Sequence, residues 1–264
     1  MSPRMPVLFV GHGSPVYAIE DNRWSRGFRA LPSLIRRPSA ILTISAHWFT
    51  DGTLITGNEK PITIHDFFGF PRELNEVQYS APGNLDLGLR IKGLIGEDVA
   101  EINEEWGLDH GTWSVLRWMY PKADVPVVQL SINRNLSMLQ HFELAKSLAP
   151  LRDEDVLIIG SGNITHNLRD VMVRMQTGDL STPNWAAKFD RKLKDILEVR
   201  DTQALLELWP NSDDARRAHP TPDHFLPIIY TYATTDSRDV VRFPIEGFDR
   251  SVSMRAIMYD HKTE

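Results

Sequence analysis

The stretch Ala40-Ile-Leu-Thr-Ile-Ser-Ala-His47-Trp-Phe49 decides the fold. Its first six residues are mostly apolar and rich in β-branched side chains, the pattern of a short strand buried on both faces. The run then meets a histidine at its carboxyl end, the edge where open α/β sheets bind ligands. The same arrangement occurs twice more. Pro6–Val10 runs into Gly11-His12-Gly-Ser-Pro15, and Asp155–Gly160 runs into Ser161-Gly-Asn-Ile-Thr-His166. Three buried strands are thus expected to deliver His12, His47 and His166 to one rim.

Outward from these strands, helical and extended patterns alternate. Helices are expected over Asn22–Leu31, Leu85–Ile95, Ser114–Met119, Ser137–Leu148 (with Leu139, Phe142 and Leu148 facing inward), Trp185–Val199, Thr202–Trp209 and Leu226–Tyr232. Val99–Ile102 and Pro126–Ile132 read as further strands. Val240–Phe243 and Ser251–Tyr259 read as an antiparallel pair closing the sheet, and Asp213–Arg217 as a loop. Gly57–Gly83, rich in Pro, Gly and aromatic residues, has no period and is too apolar for a disordered linker, so it reads as an ordered loop that covers something. The expectation is α/β: a single domain over residues 1–264, with a central parallel or mixed sheet flanked by helices.

Composition narrows the function. A net charge of −6 over 264 residues, with no Lys/Arg run, argues against a nucleic-acid surface. The absence of cysteine excludes disulfides, thiolate nucleophiles and thiolate-held metals. No signal-peptide pattern precedes the first strand, and no apolar run approaches the roughly 20 residues that span a bilayer. A cytoplasmic protein is expected. The glycines around His12 raise the idea of a phosphate cradle, but the GxGxxG spacing fails and no P-loop lysine follows.

Histidines carry the chemistry, since nine are present. His12, His47 and His166 stand at equivalent strand ends. His224 sits in Pro-Asp-His-Phe, where Pro220 and Pro222 stiffen the chain, and His110 opens a helix. Each taken singly reads as well as a turn, cap or surface residue, and His219 reads as surface. Together they suit a transition-metal site with an open coordination position, and a further histidine there is a candidate general base. Asp109 and Asp223 are candidate hydrogen-bond partners of the adjacent histidines. His65 has only a loose place in its motif, and His141 and His261 suggest no role.

The motifs GHGSP (11–15), SAHWF (45–49), TIHDFFGFP (63–71), DHGTW (109–113), SGNITHNLR (161–169) and HPTPDHFLP (219–227) resemble, in matching order, the DOPA-type extradiol aromatic ring-opening dioxygenases. These are single-chain relatives of the LigB catalytic subunit. The resemblance covers residues 5 to 257 and implies an α/β fold with one metal in its crevice. It implies His12, His47 and His224 as ligands, His166 as a fourth ligand or the adjacent base, and His110 as a contact to substrate or oxygen. It also implies a catechol and O2 as substrates. In the LigB pattern a glutamate stands where this chain has His224. An all-histidine site suits Zn2+ as isolated, whereas ring cleavage calls for Fe2+. The rival readings are a zinc hydrolase and a non-catalytic binding protein of the same fold.

Overall fold

The computed structural model describes residues 4–261. Ten strands form: β1 Val7–Gly11, β2 Ala40–Thr50, β3 Thr53–Thr56, β4 Ala100–Asn103, β5 Val127–Asn133, β6 Val156–Gly162, β7 Asp239–Ile245, β8 Phe248–Asp249, β9 Val252–Ser253 and β10 Ala256–His261. The helices are α1 Arg23–Ala30, α2 Arg72–Asn75, α3 Leu85–Ile95, α4 His110–Met119, α5 Met138–Lys146, α6 Leu168–Thr177, α7 Asn184–Val199, α8 Thr202–Leu206, α9 Asp213–Ala218 and α10 Leu226–Ala233. Eight strands make one sheet in the order β4-β3-β5-β2-β6-β1-β10-β7. Its middle, β5-β2-β6-β1, is parallel, while β10, β7 and β3 each pair antiparallel with an inner neighbour. The three histidine-bearing strands β2, β6 and β1 are therefore adjacent, and their carboxyl ends share one rim.

Alternation along each strand divides the core. Val7, Phe9, Leu42 and Ile44 face α5, α7 and α10 through Ala145, Phe189, Leu193 and Ile229. Leu8, Val10 and Ile41 face α1 and α4 through Trp24, Phe28, Trp113 and Leu116. Burying each such side chain contributes about 1.5–3 kcal/mol, which explains why the strand sequences are apolar on both faces. Among the described residues no helix is long and apolar enough to cross a membrane.

Several boundaries differ from expectation. β2 does not stop at Ser45: it continues to Thr50 through a bulge, with Ile44 opposite Leu130 but Phe49 already opposite Ile132. Bulges re-aim side chains, and this one includes His47. The helix expected over Ser114–Met119 reaches back to His110, the residue expected to open it, with Asp109 as its cap accepting the Thr112 N–H at 3.2 Å. Asp213–Arg217 is helix α9 and not a loop. Ser212 caps it, acidic residues fill its first turn and arginines its last, the charge order that a helix dipole favours. Leu139 faces solvent, whereas Phe142 packs against the core and Leu148 is fully buried as expected, and α5 also turns His141 and Ala145 inward. The expected run Ser251–Tyr259 is split. Val252–Ser253 pairs with Phe248–Asp249 in a small hairpin, and β10 alone joins the sheet.

A buried ion pair fastens the sheet's far end. The guanidinium of Arg152, fully buried, donates to both oxygens of Asp239 at 2.6 and 2.7 Å, and to the carbonyls of Met5 and Thr234 at 2.8 and 3.0 Å. Burial pushes the Asp239 carboxyl up, but the hydrogen bonds and charge of Arg152 more than offset it and hold the pKa below 3.8. A depressed folded-state pKa gives stability that is present at neutral pH and lost as pH falls below about 4. Arg152→Met leaves Asp239 buried without its partner, so chemical denaturation at pH 7 should show a loss of about 3–5 kcal/mol. The difference from wild type should shrink below pH 4, and a loss under 1 kcal/mol at pH 7 would refute this account.

Candidate metal centre

The sheet's rim lies between two helix N-termini. His12 leaves β1 in a turn where Gly13 has φ +65°, a conformation that side chains resist, and a Cβ there would meet the Met254 sulfur at 2.5 Å. His47 rides the bulge of β2. His110 is the first residue of α4, and His224 lies two residues before α10. At Gly111 a Cβ would come within 2.5 Å of Ser45 Oγ and 2.9 Å of His47 Cδ2, so only glycine lets α4 approach β2 this closely.

Hydrogen bonds set the ring orientations. Ser161 donates its hydroxyl to the Gly111 carbonyl at 2.5 Å, so it accepts from His12 Nδ1–H at 2.9 Å. His47 Nδ1–H donates to Asp66 Oδ2 at 2.9 Å, and His224 Nδ1–H donates to Asp223 Oδ2. Each bond leaves Nε2 with the lone pair. The Nε2 atoms of His12 and His47 lie 3.1 Å apart, and that of His224 is buried with no hydrogen-bond partner. A ligand atom from each of His12, His47 and His224 lies within 4.8 Å of the others. An orphaned buried nitrogen among converging lone pairs fits a cation with imidazole ligands, and nitrogen donors suit Zn2+ or Fe2+.

Charge follows burial. Desolvation, then neighbouring histidines (His47 first for His12, His166 first for His224), holds both pKa values well below 6.5, so both stay neutral, the form that ligation needs. For His47 burial opposes protonation, but the bond to Asp66 and the charges of Asp109 and Asp66 outweigh it and raise its pKa. Burial lowers His110 to about 4, helped by His47 and opposed by Asp66.

His166 stands differently. Its ring stacks on His224 with centroids 3.4 Å apart and planes 6° from parallel, and it forms no side-chain hydrogen bond among the described residues. It groups with Asp223 and His224, outside the set formed by His12, His47 and His224. Burial lowers it to about 4, against Asp223.

Sequence reasoning missed Asp66. Its two oxygens take the Nδ1–H groups of His47 and His110, each at 2.9 Å, and Oδ1 also takes the backbone N–H of His110 at 3.1 Å. Burial opposes its ionisation, but these bonds hold its carboxyl well below the usual range. The available signal was its place in the aromatic loop expected to cover something. That loop carries Phe67, buried with its ring 5.5 Å from His110, whereas Phe68 is 95% exposed. Asp109 is not the partner of His110. It accepts from Ser45 at 2.7 Å and from Gln129, behind the centre, and burial pushes it up to about 6, against the pull of His47. Asp223 does hold His224. His219 is buried rather than on the surface, and its Nε2–H donates to the Ile164 carbonyl at 2.7 Å. His65 bonds the Val77 carbonyl and His141 the Tyr230 hydroxyl, each at 2.9 Å, away from the centre.

Comparison with known proteins gives the family. Residues 6–250 match the family described as the catalytic LigB subunit of aromatic ring-opening dioxygenase. The chain is 42% identical over 260 residues, 97% of its length and 95% of the relative's, to a 4,5-DOPA dioxygenase extradiol of Escherichia coli K12. It is 40% identical over 229 residues, 84% of this chain and 83% of the relative, to a protein of the same name from Beta vulgaris. A crystal structure of an uncharacterized Escherichia coli K12 protein superposes with a TM-score of 0.83 at 38% identity, covering 97% of this chain and 99% of that one. The chain therefore belongs to the LigB family and is an oxidoreductase of the aromatic ring-opening dioxygenase class.

Proposed function

We propose that residues 1–264 form one extradiol dioxygenase domain that opens a DOPA-like catechol at its 4,5 bond to a muconic semialdehyde. His12, His47 and His224 hold a single divalent metal. The observation that carries this reading is the convergence of three imidazoles whose Nδ1–H groups are all tied outward, with the His224 Nε2 left unpaired. The names of the relatives supply the substrate class. Those three imidazoles would hold the metal, and Fe2+ there would supply the redox chemistry that O2 activation needs, which redox-inert Zn2+ would not. Both oxygen atoms end in the product, the ring carbon–carbon bond beside the diol breaks, and no external reductant is consumed.

The chain's own groups do the rest. His166 takes a diol proton: its ring is free of hydrogen bonds, and stacking on His224 keeps it beside the ligands rather than among them. His110 is held at Nδ1 by Asp66 with its ring 3.8 Å from that of His47, and there it orients the substrate or O2 by a hydrogen bond. Phe67 packs over His110 and shields that side from water. A cysteine-free chain suits a reducing compartment, and we assign the cytoplasm. The all-nitrogen ligand set favours one rival, a zinc hydrolase.

Metal-stripped protein reloaded anaerobically with Fe2+ should consume one O2 per DOPA and form a yellow semialdehyde, while the Zn2+ form should not. No uptake with any diol under either metal would leave the hydrolase reading. His166→Ala should keep one iron per chain and lose about 10²–10⁴ in kcat, whereas loss of the iron itself would make His166 a ligand. Asp66→Asn replaces one acceptor oxygen with a donor, so one imidazole loses its anchor. A competition titration should show metal affinity weakened about 10- to 100-fold, and an unchanged affinity would remove Asp66 from the orienting shell.

A further inference from the structure

A cavity of about 330 Å³ lies where the end of β2, the connection from β5 to α5 and the turn before α10 meet. That volume suits a small molecule. Phe49, Trp209, Pro222 and Leu226 give it an apolar wall of mostly flat rings. None of the residues lining it belongs to the histidine cluster. Its wall nevertheless touches two of the segments that carry the cluster: Phe49 stands two residues beyond His47, and Pro222 directly precedes Asp223.

Two polar side chains on this wall have unengaged groups. Arg134 stands over the Phe49 ring, with its Cζ 5.6 Å from the centroid. Its Nη2 donates to the Phe49 carbonyl at 2.9 Å and its Nε faces Asp51 at 3.5 Å, which leaves Nη1 without a partner among the described residues. His141 is buried, and its Nδ1 lies 2.9 Å from the Tyr230 hydroxyl. That hydroxyl is itself buried with no other partner among the described residues. It must donate to Nδ1, because a buried donor left unbonded costs about 1–3 kcal/mol. Burial lowers the His141 pKa to about 4, so the imidazole is neutral and carries its one hydrogen on Nε2. Nε2 has no partner among the described residues and is not sealed from solvent, so its N–H opens on the cavity that His141 lines. The other polar hydrogens on the wall are engaged: Trp209 Nε1–H donates to the His219 carbonyl and the Ser137 hydroxyl to Gln140 Oε1, each at 2.9 Å.

We propose that this cavity is a second small-molecule site, separate from the histidine cluster, and that it takes a small aromatic carboxylate. The free side-chain groups are both donors, so they select a ligand with two acceptor oxygens, and the flat apolar walls select a ring. The guanidinium corner of Arg134 and the His141 N–H can each take one oxygen of a carboxylate. A neutral amide of the same shape would turn its own NH2 toward one of these donors. The site stands whether or not the ring-opening reading holds, since it uses no residue of the histidine cluster.

The test titrates benzoate and its isostere benzamide into zinc-loaded protein by calorimetry. Benzoate should bind more tightly than benzamide, and Arg134→Met should weaken benzoate about 10- to 100-fold while changing benzamide little. Leu136→Trp fills the cavity and should abolish binding of both, with its melting temperature and metal content showing that the fold is kept. Metal-stripped protein should bind benzoate with the same affinity to within about twofold, as independent sites do. Loss of benzoate binding on metal removal would make it a ligand of the metal and overturn the proposal. So would equal affinity for the two compounds, no effect of Arg134→Met, or no heat with benzoate at millimolar concentration. A nitrogen–proton correlation spectrum of the histidines should place the His141 hydrogen on Nε2, and a hydrogen on Nδ1 would overturn the pairing of donors on which the site depends.

Discussion

The structure depends on the Nδ1 side of each buried imidazole being held. A neutral histidine has one donor and one acceptor nitrogen, and whichever nitrogen is tied decides where the other's lone pair points. Ser161 ties His12, Asp66 ties His47, and Asp223 ties His224. Three lone pairs directed at one point repel one another, and no protein group satisfies the one on His224. A cation bound there would turn that mutual repulsion into attraction. The arrangement is affordable because the sheet and its helices are packed on both faces, so the centre can be unfavourable locally without the fold giving way.

The three anchors come from different levels of structure. Ser161 is part of β6, the strand between β1 and β2, and reaches His12 directly from the sheet. Its hydroxyl also binds the Gly111 carbonyl, which locks the start of α4 to the same strand. Asp223 belongs to the proline-stiffened turn before α10, and His219 fastens that turn to the Ile164 carbonyl. Asp66 lies on a long loop and holds two rings at once, so the loop cannot move without releasing both His47 and His110.

These levels explain what the sequence revealed. The strand-then-histidine pattern was legible because burial on both faces forces an unbroken apolar run, and rim position follows from strand polarity. His110 and His224 were legible by motif. Asp66 was not, because its role comes from a loop that closes over a histidine 44 residues away, and no local spacing encodes that closure. The bulge in β2 was equally hidden: it inserts residues into a run whose composition still reads as strand. Asp109 misled for the same reason. Adjacency to His110 suggested a contact, but the residue before a helix turns its side chain back to cap the first turn.

The proposed ligands at 12, 47 and 224 with anchors at 66, 161 and 223 span most of the chain, so their convergence exists only when the whole sheet has assembled. Unfolded chain offers the same histidines without the fixed tautomers or the convergence, and it binds a cation far more weakly. A metal held by these residues would therefore add to the stability of the native state. The substrate side follows the same logic. Loop 63–71 and the β8–β9 hairpin approach the centre from opposite ends of the sequence, one ordering the imidazoles through Asp66 and the other resting on Thr165 beside His166. Both are irregular segments fixed by hydrogen bonds to a rigid rim. On such segments side-chain chemistry can vary without disturbing the sheet that positions the histidines.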